Sequence, residues 1–423
     1  MTAFLCRLLL ILFPLTTFSA SVQDLERVLG LEDSVRLALL NNTKLLSAEQ
    51  DITIAQQRVY EAKFLFLPQL GFQVNATKYN AKYPFSLSDD FGGLLLFPNP
   101  VENLYSARTS AHLPLYAGGR NLSTLRLTQT ALKQARAHYE AIKADAIYNA
   151  KRVFYALLLA QQRAQIGEAR LRQAHQIVKN LNLSAWDRLE KSSILSELES
   201  EVAHSKHKLN LTRLEYLKVL NVELDTPIQI SGRLEPASSQ INLNQAIIWA
   251  MELRPELRSE IFKAEMDTIA VSLALSRRFP TVLMGVDYGV VGPDFPLRQN
   301  NWNATIAIQF PLSYDFWTQY HQKRAEQRQG SLKRTELQDQ VRLEVRQAYE
   351  KFAFWQSEWP KQQKEWQKVQ ELFQAAARTS SAQTGALRGV LTLLRSEVSY
   401  LESIQEHLLA KADLEKAVGR EIK

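Results

Sequence analysis

The sequence predicts a mainly α-helical chain with a small transmembrane β portion. Three observations predict it. Four segments of about ten residues alternate apolar and polar side chains. Two amphipathic helical patterns run for roughly 60 residues each. Both features occur twice along the chain, in the same order.

The first element is a signal peptide, residues 1–21. Arg7 precedes the apolar run Leu8–Phe13, and small residues follow at Thr16, Thr17, Ser19, Ala20 and Ser21. The chain has 423 residues and a single cysteine, Cys6, which lies inside that segment. The mature protein is thus an exported, cysteine-free chain that does without disulfides. The full chain is nearly balanced in charge, with 51 basic against 44 acidic residues. Mean hydropathy is −0.23. Beyond residue 20 the longest apolar run is Val153–Ala160, far short of the roughly 20 residues of a membrane-spanning helix. Any membrane portion must therefore be built from strands.

A first helix is expected over Leu31–Phe66. Its pattern returns over Leu243–Arg278 at a constant offset of 212, where Leu31, Ala38, Leu45, Ser47, Val59, Ala62 and Pro68 recur as Leu243, Ala250, Leu257, Ser259, Val271, Ala274 and Pro280. Such a period is too long for a solenoid unit and reads as an internal duplication. The join falls near Val222–Asn242, where Pro227, Gly232 and Pro236 cluster. The expected organisation is therefore residues 22–232 and 233–423 as two repeats.

Strands follow each first helix. Leu70, Phe72, Val74 and Ala76 alternate with Gln69, Gly71, Gln73 and Asn75. Tyr105, Ala107, Thr109, Ala111 and Leu113 alternate with Ser106, Arg108, Ser110 and His112. In the second repeat Val282, Met284, Val286, Tyr288 and Val290 form one face, and Trp302, Ala304, Ile306, Ile308 and Phe310 another. About ten residues suffice for a tilted strand to cross an outer membrane, with one face to lipid and one to a polar lumen. Phe72, Val74, Tyr105, Ala107, Val286, Tyr288, Trp302, Ile306 and Ile308 are the expected lipid-facing residues. Four strands cannot close a barrel, and open edges are not tolerated in lipid. Several copies of the chain must share one barrel. The loop 83–100 makes the first hairpin longer and could lie over the outer mouth.

The long helices are expected over Asn121–Leu181 and Tyr314–Arg378, with return helices over Ala185–Leu220 and Ala386–Val418. Gly167 and Pro360 fall at matching places and predict a kink or interruption in each long helix. His204 and His207 with Glu201 have a spacing that could hold a metal; a solvated helix face explains them better, and no metal site or cofactor is expected. No phosphate loop, nucleophile elbow or Cys/His cluster appears, so the chain does not read as an enzyme.

The signal peptide, the duplicated helix–strand–strand–helix–helix plan and the stretch Leu-Pro-Leu-Tyr-Ala-Gly-Gly-Arg at 113–120 resemble the outer membrane efflux protein family, the TolC-like outer membrane factors. The resemblance implies a homotrimer, four strands per chain in a 12-stranded β-barrel, and a long α-helical barrel across the periplasm. It implies a passive exit duct in the outer membrane, joined through a periplasmic adaptor (membrane fusion protein) to an inner-membrane pump or ABC exporter of an efflux or type I secretion system. In that family the helix–helix turns form the periplasmic tip. Here the second turn holds Gly385, Arg388, Thr392 and Arg395, with Thr392 where the family has Asp. Arg388 resembles an arginine that latches such tips shut. The first turn holds Asn182, in place of Gly, then Asp187 and Arg188. Threefold copies of Arg388 and Arg395 could form a positive constriction. The alternative reading is a periplasmic coiled-coil adaptor or scaffold. Such a chain should carry one helical hairpin on a Gly-rich β domain, the opposite of the proportions here.

Overall fold

A computed structural model of the chain describes residues 28–83, 101–179, 185–236, 241–311, 315–379 and 383–422. The signal segment 1–21, nearly all of the loop 83–100, and Asn182 lie outside the described residues. Twelve elements are present among them. The order is α1 (Leu31–Asn41), α2 (Thr43–Phe64), β1 (Gln69–Tyr83), β2 (Val101–Ala117), α3 (Arg120–Lys179) and α4 (Ala185–Leu220). It continues with α5 (Leu243–Leu253), α6 (Pro255–Ser276), β3 (Thr281–Gly292), β4 (Gln299–Gln309), α7 (Asp315–Thr379) and α8 (Gln383–Val418).

Each expected first helix is in fact two helices, and the reason is local. Asn42 leaves the helical region at ψ 110, and its side chain accepts from the backbone N–H groups of Lys44 and Leu45, capping α2. Arg254 stands before Pro255 and is held extended at ψ 124, because the proline ring excludes the helical region for the preceding residue. The two breaks are 212 residues apart. α1 and α5 have 11 residues each, and α2 and α6 have 22 each.

α3 has 60 residues and α7 has 65, so at ~1.5 Å per residue they extend about 90 and 100 Å. Both run through Gly167 and Pro360 without interruption, so of the kink or interruption expected there the interruption is absent. A Cβ on Gly167 would lie 3.3 Å from Val202 of α4, so this glycine admits the neighbouring helix. Pro360 removes one backbone donor from a helix clamped along its length by α8.

The strands form one antiparallel sheet in the order β1-β2-β3-β4. Next to the sheet, the helices lie in the matching order α2, α3, α6, α7; farther away, α4 and α8 replace the short helices. Three apolar cores are present among the described residues, the first two at counterpart levels of α3 and α7. One packs α1 and the 228–234 segment against α3, around Phe154, Leu158 and Leu217. A second packs α5 between α7 and α8, around Val341, Val345 and Leu414. The third joins α3, α4 and α8 far from the sheet, around Ala174, Leu198, Leu387 and Val390. Outside these cores, buried alanines line coiled-coil seams, such as Ala48, Ala55 and Ala62 of α2. Small side chains there bring helix axes close together.

Candidate functional site: a two-faced sheet and a helical tip

Register decides what the sheet can do. Val74 lies opposite Ala107, Ala107 opposite Val290, and Tyr288 opposite Trp302. Alternation along each strand then places Phe72, Val74, Tyr105, Ala107, Val286, Tyr288, Trp302, Ile306 and Ile308 on one face. Phe72 is 74% exposed and Trp302 71%, an apolar surface left largely open among the described residues. The other face carries Gln73, Asn75, Ser106, Ser110, Asn303 and Thr305. Within it, the Arg108 guanidinium reaches the Asp287 carboxylate at 2.9 Å. Asp287 is only 8% exposed. This pair was not singled out in the sequence, although Arg108 and Asp287 are opposite charges on the polar positions of strands that become neighbours. Its visibility depended on knowing that β2 pairs with β3.

At the opposite end, the arginines of the second turn do not stand alone. The Arg388 guanidinium lies 2.5 Å from Glu190 of α4. One heptad on, Arg395 is ion-paired with Glu197. Both arginines are largely exposed, and with Leu189, Ile194 and Leu391 they line a groove of about 690 Å³. Thr392 donates its hydroxyl to the Arg388 carbonyl at 2.9 Å, inside its own helix. Gly385 sits in the first turn of α8 rather than in the connection before it. Arg188 is exposed on the first turn of α4, which also holds Asp187. Glu190 and Glu197 were not foreseen. The signal was present: α4 and α8 have 36 residues each and begin 198 residues apart. Glu190 and Arg388 are separated by that same distance, as are Glu197 and Arg395. The two return helices thus run parallel and in step, with opposite charges facing.

Higher up, α3 is tied to both return helices. Arg163 binds Glu201 of α4 at 2.5 Å and Glu402 of α8 at 3.0 Å. Arg170 binds Glu397 at 2.7 Å, and Lys151 binds Glu415 at 2.7 Å.

An uncovered apolar sheet face, a polar reverse face and helices about 90 Å long belong to a recognisable class. Residues 35–180 match the outer membrane efflux protein family. The same architecture extends over the rest of the chain. The CmeC outer membrane channel of Campylobacter jejuni superposes with TM-score 0.78 at 15% identity, covering 92% of this chain and 85% of that one. The MtrE outer membrane channel of Neisseria gonorrhoeae, in its open state, gives 0.78 at 14% identity, covering 92% and 89%. The outer membrane protein VceC of Vibrio cholerae gives 0.77 at 14% identity, covering 93% and 97%. No curated protein sequence matches the chain. The fold is that of the outer membrane efflux channels, a helical barrel wall joined to a β portion.

Proposed function

We propose that this chain is the outer membrane exit duct of a tripartite efflux or type I secretion assembly. It spans the outer membrane with its strands and the periplasm with its helices, and it moves solutes passively rather than by enzymatic turnover. The observation that carries this reading is the sheet: one face apolar across all four strands, the other polar, and both edges unpaired. Only closure with further copies satisfies such edges in lipid, and three copies would give 12 strands, as the family resemblance implies. The partners are a periplasmic adaptor and an inner-membrane pump or exporter, as the family resemblance implies. Residues 22–232 and 233–423 are read as two copies of one unit.

Fractionation tests this directly. Heat-modifiable oligomers in the outer membrane fraction are expected, and recovery as soluble periplasmic monomer would overturn the reading.

The tip is read as the gate, with Asn182, Asp187, Arg188, Gly385, Arg388, Thr392 and Arg395 in or beside the turns. Arg388–Glu190 and Arg395–Glu197 hold α8 against α4, so a ring of these arginines carries carboxylates beside its cations. Planar-bilayer conductance should rise in Arg388→Ala and Arg395→Ala and return in the charge swap Arg388→Glu with Glu190→Arg. Conductance and ion selectivity unchanged in both single variants would exclude a gating role.

A further inference from the structure

The turn from α2 into β1 and the turn from α6 into β3 are counterparts, 212 residues apart, and they share one backbone. Leu65 has φ −61 and ψ −14, and Arg277 has φ −67 and ψ −15. Phe66 and Leu67 donate to the carbonyls of Lys63 and Phe64, just as Arg278 and Phe279 donate to those of Leu275 and Ser276. The side chains differ. Phe64-Leu65-Phe66-Leu67 is apolar, whereas its counterpart reads Ser276-Arg277-Arg278-Phe279. The first turn takes this shape without either arginine, so the fold does not call for them. We propose that Arg277 and Arg278, with Arg120 beside them, hold the phosphate of an anionic phospholipid in the membrane leaflet on the helix side. The proposal rests on the duct reading above and adds to it a ligand class and its site.

Charge favours an anion here. Gly118 packs on the Ser276–Phe279 turn with no room for a Cβ between them. The start of α3, which carries Arg120, therefore adjoins the turn that carries Arg277 and Arg278. All three arginines are exposed, and among the described residues none of them is ion-paired. Elsewhere Arg163, Arg170, Arg388 and Arg395 are each matched by a carboxylate of a neighbouring helix. Around this joint acids are scarce: the sequence has none between Glu102 and Glu140, and none between Asp267 and Asp287. Arg120 is the first residue of α3, whose first turn holds no acid. A cation there opposes the positive end of the helix dipole. An anion from outside the chain relieves such a gathering of like charges, and a guanidinium binds phosphate through two parallel N–H donors.

Position sets this charge at headgroup depth. Arg278 is three residues from Thr281, the first residue of β3, at most about 10 Å of extended chain. The polar layer of a leaflet is about 5–7 Å deep, within reach of an arginine side chain on this turn. On α6, Met266, Ala270, Leu273 and Arg277 follow one another along one side, while exposed Thr268 and Ser272 lie on the other. In a duct the polar side suits the lumen, which leaves Arg277 at the end of an apolar side facing outward. It lines a cleft of about 330 Å³ between α6 and α7, floored by Leu273 and two alanines and rimmed by Gln319, Gln322 and Lys323. Lys323 is already paired with Glu326 at 2.6 Å, so the arginines carry the unmatched charge. The Arg278 guanidinium lies 4.9 Å from the Phe279 ring centroid, and aromatic rings are favoured at this depth.

A lipid fits this place better than a soluble anion. With the phosphate at the arginines, acyl chains run along Val282, Met284 and Val286 of the apolar sheet face, and a head alcohol enters the cleft beside the Gln319 and Gln322 amides. The far end of the sheet shows no cationic surplus. The connection from β3 to β4 carries Asp294 with Arg298, and residues 84–100 include Asp89 and Asp90 and no base. The bias therefore belongs to the leaflet on the helix side. The two counterpart turns divide the work. Exposed Phe64, Phe66 and Leu67 give the first an apolar contact with lipid, and the second takes the charge.

Native mass spectrometry of the purified full-length oligomer tests the site, with phosphatidylglycerol, phosphatidylcholine and inorganic phosphate as probes. Phosphatidylglycerol should bind about tenfold more tightly than zwitterionic phosphatidylcholine, and Arg277→Gln and Arg278→Gln should each weaken it about fivefold, the effect of one basic residue at an anionic lipid surface. Lys368→Gln, which removes an exposed cation far along α7, should leave the preference unchanged. Arg277→Leu with Arg278→Phe copies the α2 turn, so the oligomer should assemble and lose its preference. Equal affinity for the two lipids, or a preference that survives both single glutamine variants, would overturn the headgroup site and leave the duct standing. Displacement of the lipid by inorganic phosphate at matched concentration would make this a site for free anions and overturn the lipid assignment. A soluble monomer that binds neither lipid would overturn the duct reading, and the lipid site with it.

Discussion

Gly118 shows how much one residue can carry in this chain. It lies at the turn from β2 into α3 with φ +61, and a Cβ there would meet the Ser276 carbonyl oxygen at 2.7 Å and the Phe279 Cβ at 2.8 Å. Its neighbour Gly119 also has positive φ, at +78, but no atom lies within 4 Å of its Cβ position. Gly118→Ala should therefore cost about 2–4 kcal/mol, strain plus a backbone clash, and Gly119→Ala about 1–2 kcal/mol from strain alone. Thermal unfolding of the purified oligomer would show the difference, and equal losses would refute the contact argument. The Ala-Gly-Gly-Arg stretch entered the sequence reading only as part of the family resemblance. Which of its glycines is pinned was not legible there, because the clash is with the turn between α6 and β3.

Buried tyrosines supply a second residue-level prediction. Burial pushes the Tyr155 phenol up from 10.0 to about 12, and burial with a hydrogen bond to Asp413 does the same for Tyr148. An unfolded chain releases these protons near pH 10, whereas the folded chain holds them to about 12. Stability is then undiminished below pH 10 and falls as pH rises towards 12. Denaturant midpoints measured across that range should decline. Tyr155→Phe should flatten part of the decline.

At the scale of elements, the sequence was most legible where side-chain periodicity is short. Strand alternation placed all nine apolar-face residues on one side, because a period of two leaves no ambiguity once the pairing is in register. Helix ends were less legible. The break at Asn42 is a single capped residue in the middle of an apolar repeat, and Pro255 was read through although the residue before a proline rarely stays helical. Gly167 and Pro360 do not interrupt their helices: a glycine or proline can serve helix packing or be tolerated, and only the neighbouring helix decides. The charged residues of α3 were invisible as a set because their partners lie on two other helices. Arg163 binds both Glu201 and Glu402, so Arg163→Ala removes two ties at once. The partners are partly exposed, so the expected loss is about 1–2 kcal/mol rather than the larger cost of a sealed ion pair. A double-mutant cycle with Glu402→Gln should show coupling between α3 and α8. Simple additivity would mean that the apolar core alone holds these helices together.

For the whole molecule, the duct reading has to reconcile a modest mean hydropathy with strands that span a membrane. On that reading the apolar surface that meets lipid is one face of the four strands, and among the described residues no helix is long and apolar enough to cross a bilayer. Trp302 stands on that face, opposite Tyr288 and 71% exposed, while Trp366 stacks on Tyr400 between α7 and α8 with ring centroids 5.2 Å apart. Trp366 lies far along α7, roughly 75 Å from the sheet end of that helix, and only Trp302 should meet acyl chains. In a variant keeping Trp302 as its sole tryptophan, reconstituted into vesicles, brominated lipid should quench most of the fluorescence. A variant keeping only Trp366 should be insensitive to brominated lipid and to its depth of bromination. Equal quenching of the two, or none for Trp302, would mean that the apolar face is covered by protein. The four strands would then be a docking surface rather than a segment of barrel wall.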